Sequence, residues 1–467
     1  MSDTPTDSDL KRQLGLFSAT ILVVANMVGT GIFTTPGFVI RELGTPFTML
    51  LCWIVGGVFA LSGALCYGEL GAAYPEAGGE YVYLREGFGK WLGFLSGWTS
   101  LIVGFSAPIA AASMAFAAYA FDTMSIAPGP LVSLTLFGVP IASLSALTVV
   151  ATGTIVILSG VHSYSLLFGA RVQNALTVFK IAIILAFVIA GFTMGRGSTF
   201  HFSGGISFES LYEGNFAIAL IFVSFAYSGW NAAAYLGSEI RRPGINIPLA
   251  LFIGTSLVMA LYLILNIVYI YALPAREMSG VIEVGAKSAA ALFGPGIGAY
   301  FSGAIAFALL SVLSAMIMAG PRIYYAMSKD RVFFRLFGSV SEARKTPGYS
   351  ILLQGAIAVG MVITASFDKL LLYIGFTLSL FTMLAVVSLM RLRVTRPREE
   401  GGYRTFGYPV TPLVFILGNL WIIYWTVNSR PVTAFWGLAT IGAGAVVYRF
   451  FRSSQRPDTA DGTGSSG

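Results

Sequence analysis

Two glycine clusters interrupt long apolar runs, and the chemistry they offer is that of bare backbone. The first reads Val28-Gly29-Thr30-Gly31-Ile32-Phe33, followed by Pro36-Gly37. The second reads Phe225-Ala226-Tyr227-Ser228-Gly229-Trp230-Asn231. Glycine weakens a helix at mid-run. An interrupted helix exposes N–H groups where one half begins and C=O groups where the other ends. Such ends suit a zwitterion whose carboxylate and ammonium sit on neighbouring carbons. A helix opened at Gly29 would offer the N–H groups near Thr30, Gly31 and Ile32 to the carboxylate. Carbonyls near Met27, Phe225, Ala226 and Ser228 would take the ammonium. The simpler alternative is that the glycines only let helices approach closely. Against it, the clusters recur at matched positions, with Gly29 and Gly229 200 residues apart.

A lysine adds a fixed charge. Lys180 follows Arg171, at the start of an apolar run, by nine residues. That places it about 14 Å into a helix, near the middle of a bilayer. A lysine at that depth costs roughly 2.5–3.5 kcal/mol to insert. Gln173, Thr177 and Lys180 follow i, i+4, i+7 spacing and form one polar stripe, expected to face other helices. Snorkelling to the headgroups is the bland alternative, but the stem is short for that distance. Two roles stay open for the ammonium. It can stand where a driving cation would otherwise bind, or burial can lower its pKa so that it cycles a proton.

These groups need a membrane to hold them. Hydrophobic residues make up 56% of the 467 positions and charged residues only 10%, against about 25% charged in soluble domains. Apolar runs predict twelve spans near 15–39, 45–67, 91–121, 139–160, 169–193, 212–238, 248–273, 288–327, 349–366, 369–391, 408–428 and 432–452. The third and eighth are long enough to predict tilted or extended helices. Of the 28 Lys and Arg, 21 fall at the termini and in alternate loops, six in the opposite loops, and Lys180 lies within a span. The split places both termini in the cytoplasm. It also disperses the net charge of +7, so no basic stripe for nucleic acid forms.

The spans divide into two units of five. The fifth and tenth begin near 169 and 369, and the third and eighth near 91 and 288. An odd number of spans per unit inverts the second against the first, the arrangement of transporters that bind substrate where helices break. The expected layout is a cytoplasmic tail over 1–13, a first repeat over 14–193, an external connection over 194–211, an inverted repeat over 212–391, helices 11 and 12 over 392–452, and a disordered cytoplasmic tail over 453–467. No cleavable signal is read at the start. Cys52 and Cys66 are about 21 Å apart along one helix, too far for a disulfide.

Longer motifs extend the pattern to a family. The Gly29–Phe33 break, Gly63-Ala64-Leu65-Cys66-Tyr67-Gly68-Glu69-Leu70 and Gly78-Gly79-Glu80-Tyr81 resemble the amino acid–polyamine–organocation superfamily. Phe225 to Asn231, with Glu239 and the Pro243–Pro248 segment, resembles the L-type amino acid transporters and their bacterial relatives. Tyr373-Ile374-Gly375-Phe376 and Tyr403-Arg404-Thr405-Phe406-Gly407-Tyr408-Pro409 agree. The resemblance implies an all-α membrane protein with a LeuT-like five-plus-five repeat, discontinuous helices 1 and 6, and alternating access. It implies substrate carboxylate at Thr30 and Gly31, a gate at Phe225, a pocket position at Asn231, and Lys180 in a cation site, favouring sodium-independent exchange. The animal transporters join a glycoprotein through a cysteine between spans 3 and 4. The segment from Asp122 to Gly138 has none, so no disulfide-linked heavy chain is expected. Thr30 replaces the commoner serine, and Ser228 sits where glycine is frequent, which would narrow the pocket.

No acidic residue lies mid-span in spans 1, 3, 6, 8 or 10, so a cationic side chain would lack a counter-charge. Neutral L-amino acids are the expected substrates, with proton symport as an alternative to exchange. Ser311 and Ser314 are candidates to face Lys180, though membrane serines commonly bond their own backbone. Glu69, Glu239 and Arg171 lie near cytoplasmic ends, as an inner gate or as solvated loop charges. A membrane enzyme needs paired carboxylates, a nucleophile or a metal set at depth. His162 and His201 flank spans without partners at ligand spacing, so neither enzyme chemistry nor a cofactor is expected. A ligand sensor on the same fold is a third class.

Overall fold

The structure is a computed structural model that describes residues 12, 14–76, 78–127, 129–136, 139–164, 166–206, 214–339, 347–396 and 402–453. Both expected tails lie almost wholly outside the described residues. The chain is nearly all helical. Eight helical stretches among the described residues are long and apolar enough to cross a bilayer, nine when one bent pair counts as a single span.

That pair is α1 (Leu16–Met27) and α2 (Thr30–Leu43), bent by 42°. Val28 and Gly29 separate them, with Gly29 extended at φ −121°. The long helix α3 (Pro46–Ala73) leads through Gly78-Gly79 to a short connecting helix, α4 (Glu80–Phe88). Next come α5 (Lys90–Thr99), a π-helical turn over Ser100–Ser106, and α6 (Ala107–Thr123), which together make one continuous span. A hairpin of β1 (Pro130–Leu136) and β2 (Val139–Ser145) precedes α7 (Ala146–Tyr164) and α8 (Leu166–Met194).

The hairpin corrects the all-α expectation. The fourth span starts at Ala146 rather than near 139. From Val132 to Leu136 apolar and polar residues alternate with period two, a strand signal that apolar-run counting overlooks.

The second interruption separates α9 (Gly214–Tyr227) from the one-turn α10 (Ala232–Tyr235). Within it, Gly229 has φ +95°, a region that side-chain-bearing residues rarely adopt. The long α11 (Pro243–Ala272) and the short α12 (Ala275–Met278) follow. The long eighth run resolves into α13 (Val284–Phe293), α14 (Pro295–Ala319) and α15 (Pro321–Lys329), not one extended helix. Gly294 at φ +101° ahead of Pro295, and the Gly320-Pro321 step, break it. The chain continues with α16 (Gly348–Thr364), α17 (Phe367–Thr395), α18 (Val410–Ser429) and α19 (Pro431–Ser453). Helix α3 packs on α11, α6 on α14, and α7 on α16. Each pair joins corresponding members of the two expected repeats.

Candidate functional site

The two interruptions meet at the centre of the bundle. Gly31, in the first turn of α2, lies against the backbone of Ala226 in the last turn of α9, leaving no space for a Cβ. Gly229 lies similarly against Asn26, whose carbonyl oxygen would be 2.8 Å from an added Cβ. Glycine serves here through size at 31 and through size and φ at 229. No side chain caps α2, so its first N–H groups keep the free donor capacity of a helix start. Thr34 Oγ1 donates to Thr30 O and Thr35 Oγ1 to Gly31 O, at 2.9 and 2.8 Å.

Four carbonyls are the expected ammonium ligands, and three already have protein partners. The Tyr262 hydroxyl of α11 lies 2.6 Å from Met27 O and 3.2 Å from Ala226 O. One hydroxyl proton serves one of these at a time, and each carbonyl keeps a second lone pair. Phe225 O accepts from Ser228 N at 3.0 Å. The Tyr262 ring is fixed by Trp53 and Tyr227, with ring centroids 5.7 and 5.2 Å away. Sequence reasoning missed Tyr262, since one tyrosine in an apolar helix carries no signal of what its hydroxyl meets.

Lys180 reaches the first interruption from α8. Its Nζ donates to Ala25 O at 3.1 Å, and the residue is 1% exposed. The side chains of Arg171, Gln173 and Thr177 lie outside the described residues. Ser314 does not serve Lys180: its Oγ lies 2.9 Å from His162 Nε2. Ser311 Oγ is buried without a hydrogen-bond partner among the described residues.

Beside the second interruption is a cavity of about 160 Å³ lined by Phe225, Ser228, Gly229 and Asn231. The π-helical turn contributes Ser100, Gly104 and Phe105, and π turns recur at functional sites. Met27, Gly29, Thr30, Gly31 and Ile32 are buried and do not line the cavity. The close Gly31–Ala226 contact fills the space between them and α9.

One lining residue changes the electrostatics expected from sequence. Glu80, the first residue of α4, is 4% exposed and forms part of the cavity wall. Asn231 Nδ2 donates to its Oε1 at 2.9 Å. Spans 1, 3, 6, 8 and 10 carry no acidic residue at mid-span. This carboxylate enters from a connecting helix, because Gly79, at φ +51° and flush against the Tyr235 ring, lets the chain turn inward. Burial pushes the Glu80 carboxyl up to about 7, although the Tyr67 hydroxyl, the Asn231 amide and the Tyr235 hydroxyl favour its ionised form.

Of the three charges expected near a gate, Arg171 has its side chain outside the described residues. Glu69 pairs with Arg393 of α17, at 2.8 Å from Nε, and accepts from Thr405 N at 2.7 Å. The Glu239 carbonyl, by contrast, accepts the Leu14 N–H.

The sequence profile of the amino acid permease family matches residues 14–447. The chain belongs to the amino acid permease family. The human b(0,+)-type amino acid transporter 1 is 29% identical over 436 residues, covering 92% of this chain and 85% of that one. The serine/threonine exchanger SteT of Bacillus subtilis is 28% identical over 445 residues, covering 95% and 97%. The large neutral amino acids transporter small subunit 2 of mouse is 28% identical over 447 residues, covering 94% and 81%. The permease is a multi-pass membrane transporter rather than an enzyme.

Proposed function

We propose that the permease carries small neutral L-amino acids across the cytoplasmic membrane by alternating access, as a sodium-independent exchanger. The carrying observation is the meeting of two broken helices, Gly31 against Ala226, with the Lys180 ammonium on the Ala25 carbonyl of the same junction. The α2 N-terminus supplies donors for a carboxylate, and the ends of α1 and α9 supply acceptors for an ammonium. Gly29, Thr30, Gly31 and Ile32 take the first role, and Met27, Phe225, Ala226 and Ser228 the second. Asn231 lines the pocket and Phe225 closes it. Lys180 occupies the place of a coupling cation. Exchange is also the activity named for the Bacillus relative.

The architecture proposed is twelve spans in two inverted repeats, 14–193 and 212–391, joined by 194–211 and followed by helices 11 and 12. Three shorter apolar helices, Val178–Met194, Gly214–Tyr227 and Gly348–Thr364, supply the spans beyond the nine. Packing of α3 on α11, α6 on α14 and α7 on α16 suits a two-fold relation between repeats. Basic residues in alternate loops favour cytoplasmic termini. The mouse relative is by name a small subunit. This chain has no cysteine from Asp122 to Gly138, so it is proposed to act without a disulfide-linked heavy chain.

Counterflow tests the reading. Proteoliposomes preloaded with unlabelled L-serine, L-alanine or L-leucine should accumulate the same labelled amino acid, equally in sodium and choline buffers. A sensor or enzyme would show no preloading-dependent uptake.

A further inference from the structure

We propose that Glu80 is a proton-binding site linked to amino acid binding, so that the substrate's ammonium favours the ionised carboxylate and its arrival expels a proton. The inference rests on the transport reading above and adds an ion to it.

The geometry carries the link. Glu80 shares one cavity wall with Phe225, Ser228 and Asn231, on both sides of Gly229. Asn231 immediately precedes α10, and its Nδ2 donates to Glu80 Oε1 at 2.9 Å. The carboxylate is thus tied to the helix that resumes after the second break. A protonated carboxyl is a poorer acceptor for that amide than an ionised one, so the broken helix responds to the proton.

No fixed cation neutralises Glu80 among the described residues. Its neighbours are Tyr67 from α3, Tyr83 from its own helix, Asn231 just ahead of α10 and Tyr235 within it, all uncharged near neutral pH. The Tyr83 hydroxyl lacks a hydrogen-bond partner among the described residues. Charged groups on neighbouring elements are engaged elsewhere. Arg393 binds Glu69, Arg396 binds Glu86, Arg391 lies over the Phe88 ring, and Arg85 binds Glu76, Glu86 and Asp330. An isolated buried carboxylate neutralises itself by taking a proton. At 4% exposure the carboxyl is shielded from bulk water while it still borders the cavity. Titration near neutrality, which burial produces, agrees with that role.

The sign follows from charge. A zwitterion's ammonium in the cavity stabilises the carboxylate over the acid, so binding converts COOH to COO⁻ and releases one proton to water. Affinity therefore rises with pH.

Equilibrium binding of labelled L-serine, L-alanine and L-leucine to the purified full-length permease tests this. For a bound amino acid, affinity should rise about fivefold or more between about pH 6 and 8, a coupling of ordinary size. Glu80→Gln should give a flat profile, and Glu80→Asp should restore a pH dependence. A flat wild-type profile, a fall in affinity with pH, or an unchanged slope in Glu80→Gln overturns the proposal. If Glu80→Gln does not fold, proton release on adding the bound amino acid to weakly buffered wild type decides. A released fraction of a proton supports the proposal, and none overturns it. Wild type that neither binds nor exchanges any of the three sinks the transport reading itself. Wild type that exchanges without pH linkage sinks only the proton site.

Discussion

Gly31 lies directly on the backbone of Ala226, with no space for a side chain between them. This contact joins the two interrupted helices, so any methyl group introduced there must push the halves apart. Gly31→Ala should cost about 1–3 kcal/mol of stability, as overpacking does, and should reduce counterflow more than expression. Thermal unfolding and counterflow on the same preparation check both. Wild-type exchange in Gly31→Ala would show that the contact is not needed during the cycle.

Lys180 holds the Ala25 carbonyl from the opposite side of the first break. Removing the ammonium in Lys180→Ala discards one charge-assisted hydrogen bond, about 1.5–3 kcal/mol. Exchange should fall about tenfold or more. Sodium should leave wild-type uptake unchanged, and strong stimulation by sodium would argue against the lysine replacing a cation.

Tyr262 stands within reach of both Met27 O and Ala226 O. Tyr262→Phe keeps the ring against Trp53 and Tyr227 but removes the one hydroxyl proton that the two buried carbonyls share. The loss should be about 1 kcal/mol, read as weaker amino acid binding and slower exchange. Tyr262→Phe with unchanged binding and exchange would place the hydroxyl outside the working site.

Phe225 borders the cavity and is itself buried. If it closes over substrate, Phe225→Ala should slow exchange by about tenfold while changing equilibrium binding by less than about threefold. Equal losses in both would make it a contact residue instead.

Glu80 should also leave a mark on stability. Its ordinary carboxyl pKa of 4.5 is raised to about 7 in the folded chain. Its contribution is therefore complete below the unfolded value and is lost as pH rises through about 7. Thermal unfolding of wild type should shift downward between about pH 4.5 and 7, and Glu80→Gln should show a smaller shift. Parallel curves for the two proteins would assign the pH effect to other groups.

Sequence patterning locates some of these residues and is blind to others. Gly29 and Gly229 are legible because glycine in an apolar run is a local signal, and the interruptions fall at those positions. Lys180 is legible because charge at membrane depth is costly wherever the fold places it. Hydropathy reads the eighth run as one extended helix because it averages across Gly294-Pro295 and Gly320-Pro321, where backbone geometry decides. The hairpin of Pro130–Leu136 and Val139–Ser145 escapes a hydropathy count because an alternating segment counts as partly apolar.

From the order of residues alone came the membrane setting, the positions of both helix breaks and the burial of one lysine. Each depends on neighbours within a few turns. The tertiary structure alone decided that Tyr262 meets Met27 across 235 positions and that Asn231 holds Glu80 across 151. A hydroxyl or carboxylate carries no local trace of a partner so distant, because packing of whole helices brings them together.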